Sequence, residues 1–81
     1  MPLTPTEARR IARESIIDAV GASSPREASW LVALVEASAG MCPRRVRVLL
    51  DSMVKTGALT RPAAGMIGRG ERFASFQKEV A

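Results

Sequence analysis

Apolar and small residues recur at every third or fourth position near the start of the chain, which is the spacing of an amphipathic helix. They are Ala8, Ile11, Ala12, Ser15, Ile16, Ala19 and Val20. Thr4, Pro5 and Glu7 have the residue types of a capping box with proline in the first turn. Because Gly21 is typical of a helix end, the pattern predicts a first helix over residues 5–20.

A second helix is predicted over residues 25–39, with a start that repeats the first. Residues 24–27 (SPRE) again place a capping residue before proline and a glutamate two positions later. The middle of the stretch, WLVALV, is apolar nearly all round, which is typical of the central helix of a small bundle. This pattern predicts a core position for Trp30. Gly40 then suits a left-handed helix cap.

The third helix is predicted over residues 43–56, after a connection of only Gly40 and Met41. A short turn with glycine between two helices is typical of a helix-turn-helix, although an ordinary helical hairpin has the same spacing. The buried stripe has helical spacing and consists of Val46, Leu49, Leu50 and Met53. The opposite face carries Arg44, Arg47, Val48, Asp51 and Lys55.

The pattern after the third helix predicts a small β wing over residues 58–76. Residues 58–60 are long enough for a short edge strand. Residues 61–70 contain three glycines and one proline, a composition that predicts a loop. Residues 71–76 return either as a second strand or as a short C-terminal helix, and residues 77–81 form a tail. The whole chain, residues 1–81, is expected to be a single domain.

Charge is segregated along the chain, and the segregation indicates a kind of partner. The net charge is +4. Residues 1–41 hold four basic and five acidic residues, whereas residues 42–72 hold seven basic and two acidic ones, which gives +5. A block of charge is usually a solvated face. Segregation this complete favours a polyanionic partner.

The start of the third helix departs from the other two. Arg44, Arg45 and Arg47 follow Pro43 where the earlier starts carry a glutamate. A helix N-terminus has partial positive charge, so each arginine there costs from a few tenths of a kcal/mol to about 1 kcal/mol. An external anion compensates this cost, because exposed amides and arginines at a helix N-terminus bind phosphate. The alternative is that the three arginines only aid solubility.

The order of residue types from Val35 to Phe73 carries a resemblance. Gly40-Met41 forms the turn, and Cys42 stands where a small residue caps the next helix. Val46 and Leu49 are anchors of that helix, and KTGALTR then gives a charged residue, a glycine, a hydrophobic strand and an arginine. This order resembles the core of winged helix-turn-helix DNA-binding domains, of the type found in MarR-like bacterial regulators.

The resemblance covers about residues 28–76. It implies a mainly α fold, a three-helix winged helix-turn-helix with a small β-hairpin wing, in which residues 43–56 are the recognition helix. The long flanking helices with which MarR-like proteins dimerise and form an effector pocket have no counterpart in these residues. A ligand-sensing role is therefore not implied.

On this interpretation, Arg44 and Arg47 contact base edges or phosphates, and Val48 meets a thymine methyl group or a partner. Arg69 and Arg72 are placed in the wing, where they grip phosphate or the minor groove. The expected DNA-binding residues are Arg44, Arg45, Arg47, Val48, Lys55, Arg61, Arg69 and Arg72. Asp51 either accepts from cytosine or pairs with Arg47 or Lys55 at helical spacing, and pairing is favoured.

Other chemistry has little support in the sequence. The chain has no histidine and no tyrosine, its acids are scattered, and its single cysteine excludes a CxxC motif. We therefore expect no enzyme activity, no metal and no cofactor. Cys42 is interpreted as a small buried cap rather than a redox sensor. The longest apolar run has six residues, far fewer than the roughly 18 that span a bilayer, so a cytoplasmic protein with no membrane partner is expected.

The expected function is sequence-specific binding of double-stranded DNA by a small bacterial or phage transcriptional repressor. A symmetric homodimer is expected, with the first helix and the C-terminal phenylalanines as its surfaces, because one recognition helix gives limited specificity. The alternative belongs to another class. The same fold serves as a protein–protein interaction module, for example a viral or mobile-element accessory or inhibitor protein whose basic face meets an acidic protein.

Overall fold

The structure, a computed structural model, describes residues 3–80, with the side chains of residues 3–78. Its elements in chain order are α1 (Pro5–Ala22), β1 (Arg26–Glu27), α2 (Ala28–Ala39), α3 (Pro43–Lys55), β2 (Leu59–Thr60), β3 (Met66–Arg69) and α4 (Phe73–Val80). The fold is mainly helical with one small sheet, which agrees with the predicted mainly α class.

The three strands form an antiparallel sheet in the order β1-β3-β2. Arg26 pairs with Ile67 on one side of β3, and Leu59 pairs with Arg69 on the other. The sheet therefore joins the segment before α2 to the segment after α3. Because α2 precedes α3 and β2 follows it, the sheet fixes the position of α3 at both of its ends.

The core lies where α1, α2 and α3 meet the sheet. The predicted stripe of α3 is buried at all four of its positions, and the amphipathic face of α1 is directed inward. The largest fully buried side chains are Ile16, Ile17, Leu31, Leu50, Leu59, Ile67, Val20, Val35 and Val46. Phe73 of α4 is also buried, and Phe76 packs partly buried against the same core.

The predicted start of the second helix at residues 24–27 is wrong. Arg26 and Glu27 form β1, and α2 begins only at Ala28. The Ala28 amide donates to the Gly65 carbonyl oxygen at 2.8 Å, and the Ser24 hydroxyl oxygen accepts from the Arg69 amide at 3.2 Å. The local capping signal is overridden because Arg26 and Glu27 pair with β3, a strand about 40 residues away in sequence.

Four other parts of the secondary structure also differ from the prediction. Helix α1 continues through Gly21 to Ala22 rather than ending at residue 20. Met66–Arg69 is a strand inside the predicted loop, because it pairs on both sides with short strands. The return segment at residues 71–76 is not a strand: α4 begins at Phe73 and takes in most of the expected tail, so of the two alternatives the helix is correct. Helix α3, predicted over residues 43–56, ends at Lys55, one residue early.

Two side chains expected in the interior lie at the surface. Trp30 is 43% exposed, because it lies on the side of α2 that points away from the core residues Leu31 and Val35. The Arg26 guanidinium stacks 4.2 Å from the centre of its ring. Cys42 is the N-cap residue of α3, as predicted, but it is exposed and makes no side-chain capping hydrogen bond with a described residue.

Candidate nucleic-acid interface

The outer face of α3 carries the side chains predicted to contact DNA. Arg44, Arg47 and Lys55 are exposed, and Val48 is 62% exposed. Neither Arg44 nor Arg47 forms an ion pair with another described residue. The first half of α3 therefore exposes two arginines and one apolar side chain, Val48, to solvent.

The N-terminal turns of the helices differ from those that the sequence predicted. Of α1, α2 and α3, only α1 has a side-chain cap among the described residues: the Thr4 hydroxyl oxygen accepts from the Glu7 amide at 3.2 Å. Helix α2 has no acid in its first turn, since Glu27 is its N-cap residue and belongs to β1. Helix α3 therefore differs from α2 in having arginines in its first turn, and not in lacking a glutamate there.

Asp51 pairs with Arg61 rather than with Arg47 or Lys55. Arg61 begins the connection from β2 to β3, so the ion pair ties this connection to the outer face of α3. Both side chains are about half exposed, and exposed pairs of this kind contribute little stability. Arg61 is consequently held beside α3 but stays accessible to an anion.

Arg69, which the sequence placed in the wing, is the last residue of β3, and its side chain bonds to α1. Its Nε donates to the Val20 carbonyl oxygen at 3.2 Å, and its Nη2 donates to the Gly21 carbonyl oxygen at 2.8 Å. Helix α1 has no basic residue in its own last turn. The Arg69 guanidinium supplies the cation that the C-terminal end of a helix dipole favours, and it caps two carbonyl groups there.

We predict that Arg69→Ala lowers the free energy of unfolding by about 1–2 kcal/mol, because two charge-assisted hydrogen bonds to α1 are lost. Urea unfolding followed by circular dichroism measures this change. Arg72→Ala is the matched control and is expected to change stability much less. Equal stability of the two variants would contradict the capping role of Arg69.

Arg72 lies in the segment between β3 and α4, where its amide donates to the Gly57 carbonyl oxygen at 2.8 Å. Its aliphatic stem stands beside Gly57. The connection between β2 and β3 therefore carries neither of the two arginines that the sequence placed in the wing. Of the charged side chains, this connection holds only Arg61.

Helix α3 lies between two depressions of the surface. The first, which we call the α1–α3 groove, has a volume of about 550 Å³ and is lined by Pro5, Thr6, Arg9, Met41, Arg44, Arg45, Val48 and Leu49. The second, the α2–α3 cleft, has a volume of about 410 Å³ and is lined by Ala28, Ser29, Val32, Arg47, Leu50, Asp51, Arg61 and Gly65. Each depression has arginine side chains on its walls.

Arg9 is the residue of this region that the sequence did not indicate. It belongs to α1, in the part of the chain with net negative charge, and folding brings it beside Arg44 and Arg45. Counting charge along the chain does not find it. The only available signal was its position off the apolar face of an amphipathic helix, which every exposed residue of that helix shares.

Comparison with known proteins finds no match to this chain among family models, curated proteins or solved structures. In the part of the chain that the structure describes, none of the helices combines the length and the apolar character needed to cross a membrane. Among the same residues, no group of three potential metal ligands comes together. The geometry of the α3 face is therefore the main basis for a function.

Proposed function

We propose that the chain is a sequence-specific double-stranded DNA-binding protein with a winged helix-turn-helix fold. The observation that carries the proposal is the outer face of α3, where Arg44 and Arg47 are exposed and without ion pairs among the described residues. Arginine bonded to guanine O6 and N7 is the commonest base-specific contact in the major groove.

The arrangement of the elements supports this proposal. Helices α2 and α3 are joined by a short turn in which Gly40 has the left-handed conformation, with φ of 66°. Strand β1 precedes α2, and β2 and β3 follow α3. The three strands form one antiparallel sheet in the order β1-β3-β2. Helix α3 has 13 residues, and an α-helix with its side chains is about 10–12 Å across, which suits a major groove about 12 Å wide.

The proposed role is a small transcriptional repressor. Repression requires only that a bound protein occupy its site, whereas activation also requires a second surface for the transcription machinery. In this proposal, the exposed face of α3 is the surface that occupies the DNA site. The β2–β3 connection, which holds Arg61 beside the α2–α3 cleft, takes the place of the wing in this proposal.

The experiment that tests the function is selection from random-sequence duplex DNA, followed by affinity measurements at several salt concentrations. We expect an enriched motif, tighter binding to it than to scrambled duplex, and affinity that falls as salt rises. The absence of measurable duplex binding at about 50 mM salt would contradict the proposal.

A homodimer on an inverted repeat remains part of the proposal, but the apolar residues expected to form it pack largely within the core. Phe73 is only 6% exposed, and Phe76 and the apolar face of α1 pack within the same fold. We therefore expect two copies to assemble on adjacent half-sites of the DNA. Sedimentation with a selected duplex is expected to give two copies per duplex, and a single copy on every selected site would exclude this arrangement.

An interaction with an acidic protein is the second candidate function. Val48 and Trp30 are large apolar side chains that stay exposed, and such side chains are typical of protein contacts. The duplex-binding experiment separates the two candidates. If the protein binds no duplex, it should be used as bait to capture protein partners from its native host.

A further inference from the structure

We propose that the α1–α3 groove binds the sugar–phosphate backbone of one DNA strand, with Arg9 as a phosphate contact. The inference rests on the proposed function and adds to it a residue and a second helix. On this view the DNA-binding surface extends from α3 across to the first turns of α1.

The position of the groove follows from the faces of α3. Arg44 and Val48 lie on the outer face, whereas Arg45 lies on the flank that is turned toward α1. Arg47 and Asp51 lie on the other edge of the outer face, where they line the α2–α3 cleft. Helix α3 is thus a ridge with one depression on each side.

A helix in the major groove meets phosphates on both of its sides. An α-helix with its side chains is about 10–12 Å across, and the major groove is about 12 Å wide. The two sugar–phosphate strands therefore run along the flanks of an inserted helix. The depressions beside α3 are where those strands arrive when the outer face of α3 meets the bases.

The charges of the groove favour phosphate. Arg9, Arg44 and Arg45 line it, and none of them forms an ion pair with another described residue. No carboxylate is among the described residues that line it, whereas the α2–α3 cleft contains Asp51. Three guanidinium groups around one open groove repel one another, and a row of phosphates offsets that repulsion.

The remaining lining residues fit a nucleotide backbone. Met41, Val48 and Leu49 give the groove an apolar wall, against which a deoxyribose ring can pack. Pro5 and Thr6 bring the first turn of α1 to the groove, so the positive end of that helix dipole adds to the arginines. Glu7, the acid of the same turn, is not among the lining residues.

The test compares Arg9→Gln with Arg10→Gln, on selected and scrambled duplexes over a range of salt. Both residues are exposed on α1 and carry the same charge, but Arg10 does not line the groove. We expect Arg9→Gln to weaken binding to both duplexes by about threefold to tenfold. It should also reduce the salt slope by about 0.9, the value for one phosphate contact. The base preference should not change. Arg10→Gln should bind as the wild type does.

Phosphate-ethylation interference locates the contact. With the wild-type protein, we expect interfering phosphates on both strands beside the selected motif, and Arg9→Gln should remove interference on one strand only. If the wild type binds duplex but the two variants behave alike, the groove proposal is wrong and the proposed function stands. If the wild type binds no duplex, the proposed function itself fails. Arg9-dependent binding of poly-glutamate in place of duplex would assign the groove to an acidic protein and overturn the phosphate site.

Discussion

Gly70→Ala is expected to lower the free energy of unfolding by about 3 kcal/mol, because the site has no room for a methyl group. An added Cβ would lie 2.3 Å from the Gly57 carbonyl oxygen and 2.8 Å from the Leu59 carbonyl oxygen. Both are backbone atoms, one of them two residues before β2 and the other in β2 itself. They cannot move without disturbing the bond from the Gly70 amide to the Ala58 carbonyl oxygen, which is 3.0 Å long.

Gly68→Ala is the matched control for this prediction. Gly68 lies on β3 and is buried, but an added Cβ would meet the Ser24 hydroxyl oxygen at 3.3 Å and the Pro62 ring at 3.5 Å. These are side-chain atoms that can shift by a few tenths of an ångström, so we expect a loss below about 1 kcal/mol. Urea unfolding monitored by circular dichroism compares the two variants. A Gly70→Ala protein as stable as Gly68→Ala would contradict the described junction between β3 and α4.

The sequence predicted the helices better than the sheet. The stripe of α3 repeats with helical spacing, and burial follows it at every position, because a local periodic pattern is sufficient to place a helix face. The strands β1 and β2 have two residues each, and β3 has four. Segments that short have no detectable alternation, and they exist only because distant segments pair with each other.

The same reason explains the error at residues 24–27. A capping motif describes what a segment prefers when it is alone, whereas Arg26 and Glu27 find backbone partners on β3. Trp30 was misplaced for a related reason. An apolar run such as WLVALV does not reveal which of its faces the neighbouring elements cover, and the core is formed by Leu31, Val32 and Val35 instead.

The candidate site was predicted in part. Sequence spacing placed Arg44, Arg47 and Val48 together on the exposed face of α3, since they share one helix. It did not find Arg9, and it did not foresee that Arg69 bonds to α1, because both facts depend on contacts between elements far apart in sequence. Residues on one helix are related by geometry alone, whereas residues on different elements are related by the fold.

Arg44→Ala and Arg47→Ala are each expected to weaken binding to the selected duplex by about 1–3 kcal/mol, which is about 5-fold to 150-fold. Both side chains are exposed in the N-terminal half of α3, the part of a recognition helix that contacts base edges. If each arginine bonds to a guanine, discrimination should also relax at one base position per variant. Affinity measured on the selected duplex and on single-base variants of it checks both effects.

Lys55→Ala provides the matched control, because Lys55 is exposed on the same helix but lies in its last turn. A phosphate contact there should weaken selected and scrambled duplexes equally and leave base discrimination unchanged. Asp51→Ala removes a carboxylate beside the α2–α3 cleft and frees Arg61 from its ion pair, so affinity for both duplexes should stay the same or rise. If Arg44→Ala and Arg47→Ala also weakened the two duplexes equally, α3 would contact only the backbone. The selected motif would then have to be read through the shape and deformability of the DNA.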